Sequence, residues 1–255
     1  MTKPRPLLRL ILGDQLNPLH SWFDRVRPDV VYVLLETRSE TDYVLHHGQK
    51  VLGIFAAMRD LARHLGDAGH RVHHLPINHP ENRQGITVNL DALVEHYHAV
   101  GIEYQAPDEW RLDRELADWS QQCPVPVTMT DSEHFYTTRD AARELFKGRS
   151  RWLMETFYRQ QRRAHGVLMT PEGTPAGGQW NYDAENRMPW RGSPEVPADS
   201  RPCHDHSALW QAIIEAGVRT MGNPQAGAFR WPLNRGEALR PVSYTHLTLP
   251  TILLV

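Results

Sequence analysis

Polar side chains follow the first two apolar runs of the chain. Asp14 and Gln15 come directly after Leu7–Leu12, and Glu36 follows Val30–Leu35. Short apolar runs of this kind are typical of strands that are buried on both faces. Parallel strands bring their carboxyl ends to one sheet edge, where open α/β sheets bind ligands. Carboxylate and amide oxygens at this edge can accept hydrogen bonds from a ring N–H or from sugar hydroxyls. A capping role for Asp14 and a solvated strand end for Glu36 are the alternatives.

A polar helix face follows the second apolar run. Its members recur at helical spacing and include an aromatic ring and a cation: Glu40, Tyr43, His46, His47 and Lys50. If this helix begins at the same sheet edge, Tyr43 and Lys50 flank a planar ligand; the alternative is a solvated face. The sequence therefore predicts cofactor-binding residues but no catalytic residue, and the predicted set is Asp14, Gln15, Glu36, Tyr43 and Lys50.

Other kinds of chemistry find little support. The chain has 15 histidines, but their local clusters lack the spacing of a zinc finger or of a metalloprotease. We therefore predict no metal site. The sequence also contains no P-loop, no G-x-G-x-x-G and no G-x-S-x-G motif, which argues against a phosphate-cradling or hydrolase site.

Strand and helix patterns alternate over residues 1–131, as expected for βα units and a parallel sheet. This region is predicted to form an α/β domain with a doubly wound parallel sheet. The predicted strands are Leu7–Leu12, Val30–Leu35, Arg71–Ile77, Ile102–Gln105 and Val125–Met129. The predicted helices are Thr41–Leu65, Leu90–Val100 and Arg111–Gln121.

The pattern changes after residue 131. Residues 132–201 are predicted to be a helical linker and interdomain loop, with a basic helix at Ser150–His165 and a Gly- and Trp-containing stretch at Gly177–Arg187. We expect this stretch to pack against the basic helix. Residues 202–241 are predicted to begin a truncated all-α domain, with a helix at His206–Met221. Residues 242–255 resemble translated vector read-through and are left out of fold reasoning, with a terminal strand as the alternative.

Composition limits the class of protein. The formal net charge is −2, so overall charge does not indicate a nucleic-acid partner. Two cysteines cannot form a disulfide framework and fit a reducing cytoplasm. No apolar run reaches the length of a membrane span, so we expect a cytoplasmic protein without a membrane partner; no protein partner is evident either.

The residues at 177–187, GGQWNYDAENR, resemble a motif of one protein family. The motif is G-G-x-W-N-[FY]-D-x-x-N-R of the photolyase-related proteins, the iron–sulfur bacterial, (6-4) photolyase-like branch of the cryptochrome/photolyase family. The opening LILGDQL, the Leu35-Glu36 strand end and the Arg151–Arg159 stretch resemble that family in matching order. The resemblance covers about residues 7–240.

This resemblance implies an N-terminal antenna domain that binds a ribityllumazine at the predicted cofactor residues. It also implies an all-helical C-terminal domain with FAD and a 4Fe-4S cluster. Such proteins use light to repair (6-4) photoproducts, as reduced FAD passes an electron to the damaged DNA. The chain lacks most of the helical domain, and Cys123 and Cys203 do not stand in for the cluster ligands. We therefore expect FAD, cluster and DNA repair in the full-length parent only, and an inactive N-terminal fragment here.

Three alternatives remain at this point. The chain can be a stand-alone α/β module that binds a pigment or nucleotide. The parent can be a cryptochrome-type photoreceptor without repair activity. Finally, the basic helix and the Trp180 loop can belong to a nucleic-acid-binding protein.

Overall fold

The structure, a computed structural model, describes residues 5–181 and 199–240. Its contacts divide the chain into two units. One unit comprises Met1–Ser132 together with Asp199–Val255, and the other comprises Glu133–Ala198. The domain boundaries predicted at residues 131, 201 and 241 stay predictions.

The first unit is built on a sheet of five parallel strands in the order β3-β2-β1-β4-β5. The strands are β1 (Leu7–Ile11), β2 (Val30–Leu35), β3 (Val72–Leu75), β4 (Gly101–Gln105) and β5 (Val127–Thr130). In the central strand, Leu7 lies opposite Val30 on one side and opposite Gly101 on the other. The predicted α/β fold with a doubly wound parallel sheet is confirmed.

Among the described residues up to Ser132, four α-helices accompany these strands: α1 (Ser39–Asp42), α2 (Gly48–Asp67), α3 (Ile86–Tyr97) and α4 (Trp110–Ser120). The single helix predicted at Thr41–Leu65 is therefore wrong, because two helices occupy this region. His47 has an extended backbone, and its Nδ1 accepts a hydrogen bond from the Gln49 amide, so that α2 begins at Gly48. Val44, which falls within the predicted helix, lies between the two observed helices and is 51% exposed.

The sheet is covered by apolar residues on both faces, which explains the unbroken apolar character of β2. Val30, Tyr32 and Leu34 pack with side chains of α2. Val31, Val33 and Leu35 point the other way and pack with side chains of α3 and α4. Because successive strand residues alternate between faces, each apolar run contributes to both cores.

The second unit contains α5 (Ala141–Leu145) and α6 (Met154–His165). The basic helix therefore begins four residues later than the predicted Ser150. The ring of Trp180 lies 5.3, 5.2 and 4.7 Å from the guanidinium groups of Arg159, Arg162 and Arg163. The expected packing of the loop on the basic helix is confirmed at Trp180, and residues 182–187 lie outside the described residues.

The described residues 199–240 belong to the first unit. Helix α7 (Ser207–Glu215) contributes Leu209, Ala212 and Ile213 to the core that α2 shares with the sheet. The Gly48 amide at the start of α2 donates to the Met221 carbonyl at 2.8 Å. The assignment of residues 202–241 to a truncated helical domain stays a prediction, but here they complete one face of the α/β unit.

Among the described helices, none combines the length and the apolar character that crossing a membrane requires.

We predict that the α/β unit depends on α7 for its stability. Ile213→Ala removes a side chain that is 0% exposed and should lower the free energy of unfolding by about 2–5 kcal/mol. Ile214→Ala is the matched control because Ile214 is 48% exposed, and it should change this free energy by about 0.5 kcal/mol or less. Urea unfolding of both variants measures the difference, and equal effects would contradict the role of α7.

Candidate ligand-binding site

A cavity of about 160 Å³ opens at the carboxyl ends of β1 and β2. Most of its wall is apolar, and its polar side chains come from the segments that follow the strands. Apolar and small lining residues are Leu10, Ile11, Leu12, Gly13, Leu35, Val51, Ile54, Phe55, Met58, Ile86 and Leu112. Polar lining residues are Asp14, Glu40, Thr41, Tyr43, His46, Lys50 and Glu109.

The cavity follows from the strand order. The chain leaves β1 toward β2 on one side and later adds β4 on the other side, so the connections diverge at β1. Such a reversal opens a crevice at the strand ends. Gly13 keeps the turn after β1 close to α2, since a Cβ at this position would lie 2.7 Å from Cγ2 of Ile54.

The structure brings together three of the predicted cofactor residues. Asp14, Tyr43 and Lys50 all line the cavity. Lys50 Nζ lies 3.3 Å from His46 Nδ1, and the Tyr43 ring meets the His46 ring edge-on with centroids 4.9 Å apart. An aromatic ring, a cation and a carboxylate thus line the same cavity.

Gln15 does not line the cavity. Its side chain is buried within the turn: Oε1 accepts from the Leu12 amide at 3.1 Å, and Nε2 donates to the carbonyls of Gln105 and Ala106 at 3.2 and 3.3 Å. Gln15 therefore joins the end of β1 to the end of β4. Its direct contact with a ligand stays a prediction, and its observed partners are all backbone atoms.

Glu36 also lies outside the cavity lining, and it is 0% exposed. Arg59 binds its two oxygens at 2.7 and 2.9 Å, His74 Nε2 lies 2.9 Å from Oε1, and the Ile77 amide donates to Oε2 at 2.9 Å. Unlike Asp14, Tyr43 and Lys50, the predicted residues Glu36 and Gln15 are not in the cavity lining, and protein groups satisfy both side chains. Cofactor binding by Glu36 stays a prediction.

The surroundings of Glu36 decide its charge. Burial raises the pKa of this carboxyl, but the hydrogen bonds from Arg59 and His74 outweigh burial and lower the pKa below its ordinary value. A carboxylate with a lowered folded-state pKa stabilises the fold above its unfolded pKa, and this stabilisation is lost as the pH falls through the folded pKa.

We predict that Glu36→Gln lowers the free energy of unfolding at pH 7 by about 3–5 kcal/mol, because it leaves Arg59 without its buried partner. The difference from the parent chain should shrink once the pH falls below about 4.3, the ordinary glutamate pKa. Urea unfolding between pH 7 and pH 3 measures this difference in the free energy of unfolding. Glu95→Gln, at an exposed position, is the control. A difference that does not vary with pH would refute this role.

Sequence reasoning missed the cluster around Arg111. Its Nη2 donates to Glu40 at 2.8 Å and its Nε donates to Glu109 at 3.0 Å. The guanidinium carbon lies 4.2 Å from the centre of the Tyr43 ring. Arg111 is 71 positions from Glu40, so only the fold joins these residues. The one available signal was Glu40, which the sequence placed on the same polar face as Tyr43.

Burial and neighbouring charges set the protonation of the cavity wall. Burial raises the pKa of Glu40 despite the hydrogen bond from Arg111, and burial also raises the pKa of Tyr43. Burial and then the Lys50 charge lower the pKa of His46. Burial and the Lys50 charge therefore both favour the uncharged imidazole of His46.

Within residues 5–181 and 199–240, no three His, Cys, Asp or Glu side chains are placed to hold a metal ion.

Comparison with known proteins identifies the family. The model of the family described as deoxyribodipyrimidine photo-lyase-related protein matches residues 9–231. The chain belongs to this family. A curated relative, the (6-4) photolyase of Agrobacterium fabrum, is 34% identical over 214 residues. The aligned part is 83% of this chain and 41% of the relative, so the chain spans about two fifths of that relative's length.

Proposed function

We propose that the cavity of this photolyase-related protein binds a ribityllumazine antenna pigment. The observation that carries the proposal is the composition of the cavity: an apolar wall, the aromatic rings of Tyr43 and Phe55, and a set of hydrogen-bonding groups at the switch point of the sheet. Small-molecule sites are typically concave and apolar with a few polar groups that fix orientation. When bound, such a pigment supplies light absorption to the protein.

The wall suits a planar ring. Ile54, Phe55 and Met58 lie on α2 and offer apolar contact, and Tyr43 offers an aromatic face or edge. Arg111 contacts the Tyr43 ring, which helps to hold the ring in place. These residues favour a flat heteroaromatic ligand over an extended chain.

The polar groups suit the substituents of a ribityllumazine. The ammonium of Lys50 has three hydrogen-bond donors, and His46 Nδ1 engages one of them. The remaining donors can bind a ring carbonyl. The carboxylates of Asp14, Glu40 and Glu109 are acceptors for the hydroxyl groups of a polyol chain.

We predict that Tyr43→Ala weakens the binding of 6,7-dimethyl-8-ribityllumazine about tenfold, because the ring loses an aromatic contact of roughly 1 kcal/mol and apolar area. Fluorescence titration of the purified chain measures the dissociation constant. Val44→Ala is the matched control, since Val44 is the next residue, is 51% exposed and does not line the cavity. Equal affinities for the two variants would remove Tyr43 from the site.

For the whole protein, we propose light-dependent repair of (6-4) photoproducts in DNA. Support comes from the family and from the name of the Agrobacterium fabrum relative. Reduced FAD supplies the electron in such chemistry, and we propose that FAD and a 4Fe-4S cluster are held outside these 255 residues. The chain's two cysteines do not fit the cluster: Cys123 is partly buried against the apolar core that α3 and α4 share with the sheet, and Cys203 is exposed.

An illumination experiment tests this assignment. The 255-residue chain and a form extended with the rest of its natural gene are incubated with an oligonucleotide that contains one (6-4) photoproduct. We expect repair only in the extended form and only under blue light. A bound flavin spectrum or repair by the 255-residue chain alone would contradict the assignment. An extended form that binds FAD but repairs nothing would favour a photoreceptor.

A further inference from the structure

We propose that the cavity selects its ligand by charge: it accepts a heteroaromatic ring with an uncharged polyol chain and excludes the phosphate ester of the same molecule. This inference rests on the proposed pigment-binding function and adds the chemical class that the site accepts.

The charged groups of the cavity wall are mostly negative. Three carboxylates, those of Asp14, Glu40 and Glu109, line the cavity, whereas Lys50 is the one lysine or arginine among the described residues of its lining. Carboxylates accept hydrogen bonds from hydroxyl groups and repel phosphate. The wall therefore favours the alcohol over its phosphate ester.

The positive charge of Arg111, which lies next to the cavity wall, does not turn the cavity into a phosphate site. Its guanidinium pairs with Glu40 at 2.8 Å, with Glu109 at 3.0 Å and with Glu115 at 3.5 Å. One face of the group also lies over the Tyr43 ring. A phosphate would have to displace carboxylates that already occupy the donors of this arginine, so Arg111 is poorly suited to bind a phosphate.

The start of α2 adjoins the cavity, and helix N-termini are common phosphate sites because their amides lack intrahelical partners. In this helix the first amides are engaged. The Gly48 amide donates to the Met221 carbonyl (2.8 Å), and the Gln49 amide donates to His47 Nδ1 (3.1 Å). The amides of Lys50 and Val51 both donate to the His47 carbonyl, at 3.0 and 3.4 Å. Two further helices begin beside the cavity: α3 at Ile86, after its N-cap Gly85, and α4 at Trp110, after its N-cap Glu109, whose side chain brings a carboxylate to that helix start.

A buried histidine also lines the cavity. His46 lines the cavity and is 8% exposed, and its Nε2 has no hydrogen-bond partner among the described residues. An uncharged imidazole nitrogen can pair with a hydroxyl or carbonyl of a neutral ligand. It lacks the positive charge that a phosphate would require.

Two matched probes test the inference: 6,7-dimethyl-8-ribityllumazine and its 5′-phosphate. Fluorescence titration of the purified 255-residue chain gives a dissociation constant for each. We expect the phosphate ester to bind at least about tenfold more weakly at low salt, since a charge pair a few ångströms apart in a partly buried site interacts by more than 1 kcal/mol. The ratio should fall as the ionic strength rises.

The double variant E40Q/E109Q should reduce this ratio to about threefold or less, because two negative charges are removed and Arg111 keeps only Glu115 of its three carboxylate partners. Asp118→Asn is the control: Asp118 lies on α4, is exposed and does not line the cavity. This variant should keep the parental ratio.

Each outcome has a distinct meaning. If neither probe binds, both the proposed pigment site and the proposed charge selection are wrong. Equal binding of both probes overturns the charge selection alone and leaves the pigment site standing. An unchanged ratio in a folded double variant also overturns it. If the double variant does not fold, the salt dependence in the parent chain decides, and a ratio that is constant with salt overturns the inference.

Discussion

One buried carboxylate holds together the sheet edge from which the cavity is built. Glu36 ends β2, and its oxygens bind Arg59 of α2, His74 of β3 and the amide of Ile77. Its backbone carbonyl accepts from Asn82 at 2.7 Å. A single acid at the end of a strand thus fixes a helix, a neighbouring strand and the loop beyond that strand. An unpaired charge at this depth would be costly, so these partners are needed together.

On the other side of the central strand, Gln15 joins two strand ends by hydrogen bonds. Its amide joins the turn after β1 to the carbonyls at the end of β4. With both strand ends fixed, the following segments place Asp14, Tyr43 and Glu109 around one opening. Arg111 then links Glu40 and Glu109, which both line the cavity. The residues that fix the backbone and those that face the cavity are therefore different residues.

The sequence predicted those parts of the fold that follow from local pattern. The parallel sheet was identified from the apolar runs of β1 and β2 and from the alternation of strands and helices. A strand that is buried on both faces needs apolar residues at nearly every position. It did not predict the break between α1 and α2, which depends on the capping geometry of His47. The site was predicted only in part. The local sequence around a carboxylate at a strand end does not reveal whether its partner is a ligand or a protein group such as Arg59. Arg111 was missed because its contact with Glu40 arises only from the packing of α4 beside α1.

The most direct test of the pigment site is a crystal structure of this chain with 6,7-dimethyl-8-ribityllumazine. We expect the ring in the cavity between Tyr43 and the apolar face of α2, with ribityl hydroxyls within hydrogen-bond distance of the lining carboxylates and with Glu36 still paired to Arg59. An empty cavity at saturating pigment, or a pigment bound only beside Trp180, would contradict the account.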